Sequence, residues 1–257
     1  MTLPTSGQGR LLLVPAPLDF GCDNQAPLTD VLPEATLAAA AGLTHWICEN
    51  AKTARACIKR VGGLRPLAAP LQEQQIVEMP REMHKKGDTG TGFDVRSLLQ
   101  PALDGHDIGL ISEAGMPAVA DPGASVVRAA HDLGLQVLPL VGPCSLLLAL
   151  AASGLNGQNF AFVGYLPQDA PQRVLRLREL EALALKTGQA QMFIETPYRN
   201  AALLQALLLA LAPTTQLAVS SGLTLAGART RSAPVKAWRQ MADTAVGDGP
   251  AVFAIGR

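Results

Sequence analysis

The sequence carries no excess of charge of either sign. Twenty-one lysines and arginines face twenty-one aspartates and glutamates in a chain of 257 residues. A zero balance gives no general pull toward nucleic acid, although a local basic patch remains compatible with it. Aromatic side chains are scarce: two Trp, two Tyr and six Phe. The four cysteines, Cys22, Cys48, Cys57 and Cys144, lack a metal-ligand spacing such as Cys-x-x-Cys, and the four histidines are scattered. Both observations argue against a metal, and the cysteines read as free thiols of a reducing compartment. No apolar run approaches the roughly 20 residues that cross a bilayer. Residues 1–10 show neither the basic start nor the apolar core of a signal peptide. The expectation is a cytoplasmic protein without a membrane partner.

What is present is core material. Nearly half of the residues are hydrophobic (48%) and only 16% are charged. The length suits one large domain or two small ones. Long Ala/Leu runs point to helices packed on sheets. Leu11 to Val14 reads as a buried first strand. Leu32 to Ala41 reads as a helix capped by Thr29 or Asp30 and stopped by Gly42. Thr44 to Cys48 is a second strand, and Glu49-Asn50 opens the helix that ends near Val61, with capping the favoured role for Asn50. Arg65 to Gln75 is a short extended segment, Arg81 to Phe93 a polar Gly-rich loop, and Asp94 to Leu103 a helix.

The centre of the chain is Ile111-Ser112-Glu113-Ala114-Gly115-Met116-Pro117-Ala118-Val119-Ala120-Asp121-Pro122-Gly123. The apolar run Ile108 to Ile111 leads into it and a helical pattern, Ala124 to Leu133, follows. Strand, Gly/Pro-rich loop and helix in that order place the loop where open α/β sheets bind ligands. Asp121 and Pro122 suit a helix start, Asp121 as an N-cap. The same composition also serves a purely structural connection.

Leu135 to Leu140 is another strand, and Val141-Gly142-Pro143 reads as a hinge. The reading is therefore an N-terminal α/β domain over 1–140 and a C-terminal α/β domain over 141–257. In the second, Cys144 to Ala152 is an apolar, buried helix. Phe160–Leu166, Gln191–Glu195, Gln216–Ser220 and Ala251–Ile255 are strands. Pro171 to Leu185 and the segment up to Leu211 are helices, and Val235 to Met241 is a short one. Late strands crowd together, which suggests a mixed second sheet. Glu195 and Arg199 stand at the spacing that lets helical side chains meet. Arg173, Arg176 and Arg178 read as a solvated face. Arg229, Arg231, Lys236 and Arg239 surround Trp238, an arrangement that serves either base stacking or core packing.

Ser112-Glu113-Ala114-Gly115-Met116-Pro117 with Asp121-Pro122-Gly123, then Val141-Gly142-Pro143-Cys144-Ser145 and Gly164-Tyr165-Leu166-Pro167, resembles the tetrapyrrole methylase superfamily. The similarity is greatest to its ribosomal RNA small-subunit methyltransferase I branch. The resemblance implies two unlike α/β domains, an N-terminal mostly parallel sheet and a C-terminal mixed sheet, with S-adenosylmethionine (SAM) in the cleft between them. It also implies a homodimer. The Gly-x-Gly-x-Gly turn of the commonest SAM-binding fold is absent. By resemblance, Ala114, Gly115, Met116, Pro117, Val119 and Ala120 line the first half of the cofactor site. Cys144 and Ser145, Leu166, Thr196 and Pro197, and Pro250 and Ala251 complete it.

Departures from the family pattern fall near the substrate. Ala16-Pro17-Leu18-Asp19-Phe20 replaces the usual Thr-Pro-Ile-Gly-Asn, and Glu49-Asn50 stands where Glu-Asp is typical. The C-terminal helical domain common in this branch does not follow Ile255. Carboxylates available as a general base are Glu49, Glu113, Asp121 and Glu195, with Glu113 the first choice and Asp121 read as a cap. The implied activity is SAM-dependent methyl transfer, with the ribose 2′-hydroxyl of small-subunit ribosomal RNA as acceptor. The alternatives are a divergent paralogue acting on a tetrapyrrole or other small molecule, and a SAM-binding module without turnover.

Overall fold

The protein is described from a computed structural model; the structure describes residues 7–19, 22, 24–80, 94–241, 246 and 249–257. The Arg81–Phe93 stretch read as a loop lies outside them. The chain divides into two compact units, the first including Ala26–Pro143 and the second Cys144–Arg257.

In the first unit, β1 (Leu11–Leu13), β2 (His45–Cys48), β3 (Gln75–Glu78), β4 (Ile108–Ile111) and β5 (Val137–Pro139) form one sheet in the order β3-β2-β4-β1-β5. Every pairing in it is parallel. A parallel sheet needs helices on both faces, so its central strands are apolar throughout rather than alternating. All four residues of β4 are buried accordingly. Leu12, Trp46, Cys48 and Ile111 pack on one face against α1 (Glu34–Ala41) and α2 (Ala51–Gly62). Leu11, Ile47, Ile108 and Leu110 pack on the other, against α3 (Ala124–Asp132). Gly109 is a packing requirement. It lies opposite Trp46 in the β2–β4 register, and a Cβ there would stand 2.6 Å from Trp46 Cε3.

Three local expectations need correction. The helix expected from Leu32 begins at Glu34, with Pro33 at its N-cap, and Leu28–Val31 forms a separate turn. Neither Thr29 nor Asp30 caps it. The strand β3 follows the extended segment that was expected and was not anticipated; it is an edge strand with largely exposed residues, so no apolar signature marks it. The Asp94–Leu103 helix is a 3-10 turn, Val95–Leu99, then one α-turn, Gln100–Leu103. Pro101 sits at the junction and supplies no N–H to carry a longer helix.

The second unit is a mixed sheet, as expected. Its strands are β6 (Phe160–Tyr165), β7 (Ala190–Glu195), β8 (Gln216–Ser221), β9 (Arg229–Pro234) and β10 (Ala251–Gly256), in the order β6-β7-β10-β8-β9. Only β6 and β7 run parallel. The central strand β10 is buried at all six positions. Helices α5 (Ala170–Thr187) and α6 (Asn200–Ala210) cover one face through Leu177, Leu180, Leu203 and Leu207. Phe193 and Phe253, paired across β7 and β10, stack beneath them with ring centroids 6.1 Å apart. Full burial of such a ring stabilises the fold by about 1.5–3 kcal/mol. Helix α4 (Ser145–Ser153) covers the other face through Leu146, Ala149 and Leu150. This helix was expected to be buried all round; instead Leu147 is 56% and Leu148 39% exposed. Strand β9 was also unforeseen. Its Arg-Thr-Arg-Ser sequence is polar because it lies at the sheet edge. Trp238 is core: it is 3% exposed and donates its indole N–H to the Leu217 carbonyl at 2.9 Å. No helix among the described residues is long and apolar enough to cross a membrane.

Candidate functional site

Strand β4 ends at Ile111, and the chain then spends twelve residues before α3. Four of them adopt positive φ: Gly115 (75°), Ala118 (63°), Ala120 (67°) and Gly123 (133°). Left-handed backbone at an alanine costs about 1–3 kcal/mol and persists where surrounding structure enforces it. Here the enforcement begins at Gly115. Its N–H donates to the Ala16 carbonyl (3.0 Å) and its carbonyl accepts from Ala16 N–H (2.9 Å), a two-bond bridge to the loop after β1. A Cβ on Gly115 would lie 3.1 Å from Leu18 Cδ2, so the glycine is favoured by its positive φ and sits tightly against that side chain. Beyond the bridge the loop turns outward. Val119 and Ala120 are exposed, and Met116 and Ala118 half-buried. No backbone hydrogen bond among the described residues uses the amides of Met116, Ala118 or Ala120, whereas Val119 closes a turn over Pro117–Ala118. Backbone amides left without a backbone partner are donors available to an anionic group.

Carboxylates gather at the same strand ends. Glu49, next after β2, donates its own N–H to the Ile111 carbonyl (3.3 Å), and its Oε2 accepts from Glu113 N–H (3.3 Å). Glu113 Oε1 lies 3.4 Å from Thr53 Oγ1, whose single proton is shared with the Asn50 carbonyl at 3.0 Å. Asp121 completes the group. Burial pushes its carboxyl up to about 7, with the nearby Glu49 and Glu113 charges acting in the same direction and a hydrogen bond from Ser112 opposing them. Asp121 is not the helix cap that was expected. Gly123 occupies the N-cap of α3, and no side chain caps that helix. Asn50 is a cap, as expected: its Oδ1 accepts from Lys52 N–H (2.9 Å) and Thr53 N–H (3.3 Å).

The structure thus brings Glu113, Ala114, Gly115, Met116, Pro117, Val119 and Ala120 into one loop beside Glu49 and Asp121. In the second unit, Ala251 pairs with Glu195 in the β7–β10 register, which draws Pro250 and Ala251 to the same sheet end as Thr196 and Pro197. Asn200 Nδ2 adds a 3.0 Å bond to the Gly249 carbonyl. Glu195, considered as a base, has a structural task instead. Its Oε1 accepts from Thr196 N–H (2.8 Å), Thr196 Oγ1 (3.3 Å) and Arg199 Nη2 (2.7 Å), the expected Glu195–Arg199 pair. Cys144 and Ser145 stand at the start of α4. Leu166 is packed into the core with Leu177 and Phe193. Arg176 pairs with Glu179 on the solvated side of α5. The residues the sequence did not single out are Asp19 and Arg60, an ion pair beside the loop; nothing in their spacing, 41 positions apart, signals it. Among the described residues no group of His, Cys, Asp or Glu is arranged to hold a metal ion.

A parallel α/β unit with a strained, amide-rich loop at the carboxyl end of its central strand is a ligand-binding architecture. Comparison gives it relatives. The chain is 34% identical over 177 residues to the ribosomal RNA small subunit methyltransferase I of Mesorhizobium japonicum, a match covering 69% of this chain and 53% of that protein. It is 33% identical over 191 residues to the protein of the same name from Pseudomonas aeruginosa, covering 74% and 58%. The match thus spans little more than half the length of these relatives. Among solved structures, the methyltransferase CobJ aligns over 97% of this chain and 94% of its own, with a TM-score of 0.55 and 16% identity. Uroporphyrin-III-C-methyltransferase from Thermus thermophilus aligns over the same shares, with a TM-score of 0.52 and 18% identity. These two likenesses show the fold. No protein-family model matches. The chain is thus similar, over about 70% of its length, to proteins named ribosomal RNA small subunit methyltransferase I, and it shares its fold with methyltransferases named for CobJ and for uroporphyrin-III.

Proposed function

We propose that the protein is a SAM-dependent methyltransferase whose cofactor is held by the loop from Glu113 to Ala120. The observation that carries this reading is the loop itself: four positive-φ residues, amides of Met116, Ala118 and Ala120 without a backbone partner, and three carboxylates beside them. The chemistry of the group fits it. The amides of Met116, Ala118 and Ala120 suit a carboxylate, and Glu49 and Glu113 suit a neighbouring cation. SAM, when bound, supplies an electrophilic methyl group. The residues of this chain supply position and a proton acceptor. Asp121 is the better base than Glu113, because a carboxyl that titrates at about 7 is half ionised at neutral pH. An alcohol acceptor gains from such a base, and the names of the relatives point to ribosomal RNA; the acceptor we propose is a ribose 2′-hydroxyl of the small subunit.

Calorimetric titration with SAM and S-adenosylhomocysteine, followed by methylation assays on undermethylated small subunits, tests the reading. One-to-one binding is expected, and it should be lost in Gly115→Val, which adds backbone strain of about 1–3 kcal/mol and presses on the Leu18 side chain. No binding of either compound to the wild type would end the proposal. Binding without turnover on any subunit would retain the cofactor and refute the acceptor. The working form is proposed to be a homodimer, to which the exposed Leu147–Leu148 face of α4 contributes; light scattering giving a single-chain mass would refute this.

A further inference from the structure

We propose that Arg60 is a positioning residue: its ion pair with Asp19 latches the loop after β1 so that Ala16 and Leu18 hold Gly115 in its ligand-binding conformation. The inference rests on the reading that the loop around Gly115 takes SAM.

The latch starts from a carboxylate that needs a partner. Asp19 is 5% exposed, and an uncompensated charge at that depth is strongly destabilising. Arg60, on α2, supplies the compensation. Its Nη1 donates to both Asp19 oxygens, at 3.0 and 3.2 Å, and its Nη2 donates to the Ala26 carbonyl at 2.7 Å. One planar guanidinium therefore binds the loop at two points seven positions apart, a geometry that an ammonium group cannot reproduce. The connection from Asp19 to the candidate site is short. Leu18 is its neighbour and lies against Gly115. Ala16, three positions earlier, makes the two-bond bridge to Gly115. Pro15 and Pro17 flank Ala16 and fix φ on either side of it. A displacement at Asp19 is thus passed to Gly115 rather than absorbed by soft torsions between them. Gly115 in turn sets where the segment carrying the Met116, Ala118 and Ala120 amides begins.

The test is calorimetric titration of the full chain with S-adenosylhomocysteine. Variants are Arg60→Met, Asp19→Asn, the double variant, Arg60→Lys, and Leu18→Ala, which leaves the ion pair intact. If the latch acts as proposed, Arg60→Met and Asp19→Asn each weaken binding tenfold or more. The double variant is then no worse than the weaker single, because the two side chains act as one unit. Arg60→Lys retains part of the affinity, and Leu18→Ala loses it to a similar degree. A merely structural pair would lower the thermal midpoint while the folded protein bound with wild-type affinity, and that result overturns the proposal. Should Arg60→Met fail to fold, Leu18→Ala decides alone: wild-type affinity in that variant refutes the latch. Absence of binding by the wild type would instead refute the methyltransferase reading.

Discussion

Asp121 shows how strongly place decides what a residue does. In the sequence it is an acceptor three positions ahead of a helix that starts at Ala124, a setting that suggests capping. In the fold it is turned among Glu49, Glu113 and Ser112, and burial raises its carboxyl to about 7. The consequence for stability has a definite sign. A carboxyl that holds its proton more tightly folded than unfolded stabilises the fold fully below the unfolded value, near 4, and that contribution is lost as pH rises through about 7. Asp121→Asn should therefore melt at a higher temperature than the wild type at pH 8.5, with the difference shrinking toward pH 5; thermal melts across that range check it. Turnover runs the opposite way. The wild-type rate at saturating SAM should rise with pH through about 7, and Asp121→Asn should lower it by about 10²- to 10⁴-fold. A flat pH profile would remove Asp121 from the chemistry.

At the scale of elements, Asn50 makes a complementary case. It occupies a place where the family resemblance implies an acid, and the structure gives it the work of a helix cap. Asn50→Ala should cost about 1 kcal/mol, read from chemical denaturation, while Asn50→Asp should be close to neutral because aspartate caps as well. The cap was legible because its signal is local: one side chain and the two amides that follow it. The same holds for β1, β2, β4, β7, β8 and β10, whose apolar runs announce buried strands. Edge strands β3 and β9 gave no such signal, since none of their residues is fully buried and their identity rests on their pairing partners. Pro33 and Pro101 moved helix starts that periodicity alone placed earlier or ran through. The candidate loop was legible in composition and order. Its electrostatics were not, because Glu49, Glu113 and Asp121 meet only when β2 and β4 lie side by side. The Asp19–Arg60 pair was hidden for the same reason, and α4 was misjudged because an apolar sequence does not say how many of its faces will be covered.

At the scale of the whole molecule, the balance of charge bears on the proposed substrate. With no net cationic pull, discrimination has to come from a shaped contact with an assembled particle rather than from attraction to RNA in general. The two units also have separate apolar cores, and the sequence happens to place one indole in each. Trp46 is 2% exposed in the first, with its Nε1 donating to Gln74 Oε1 at 2.8 Å; Trp238 is 3% exposed in the second. Each ring is thus a built-in optical reporter that emits from an apolar setting when its own unit is folded and shifts to the red when water reaches it. Trp238→Phe leaves a protein whose fluorescence follows the first unit alone, and Trp46→Phe one that follows the second. We expect different denaturant midpoints for the two, with SAM raising the midpoint reported by Trp46. Coincident midpoints, with and without SAM, would mean that the chain melts as a single cooperative body.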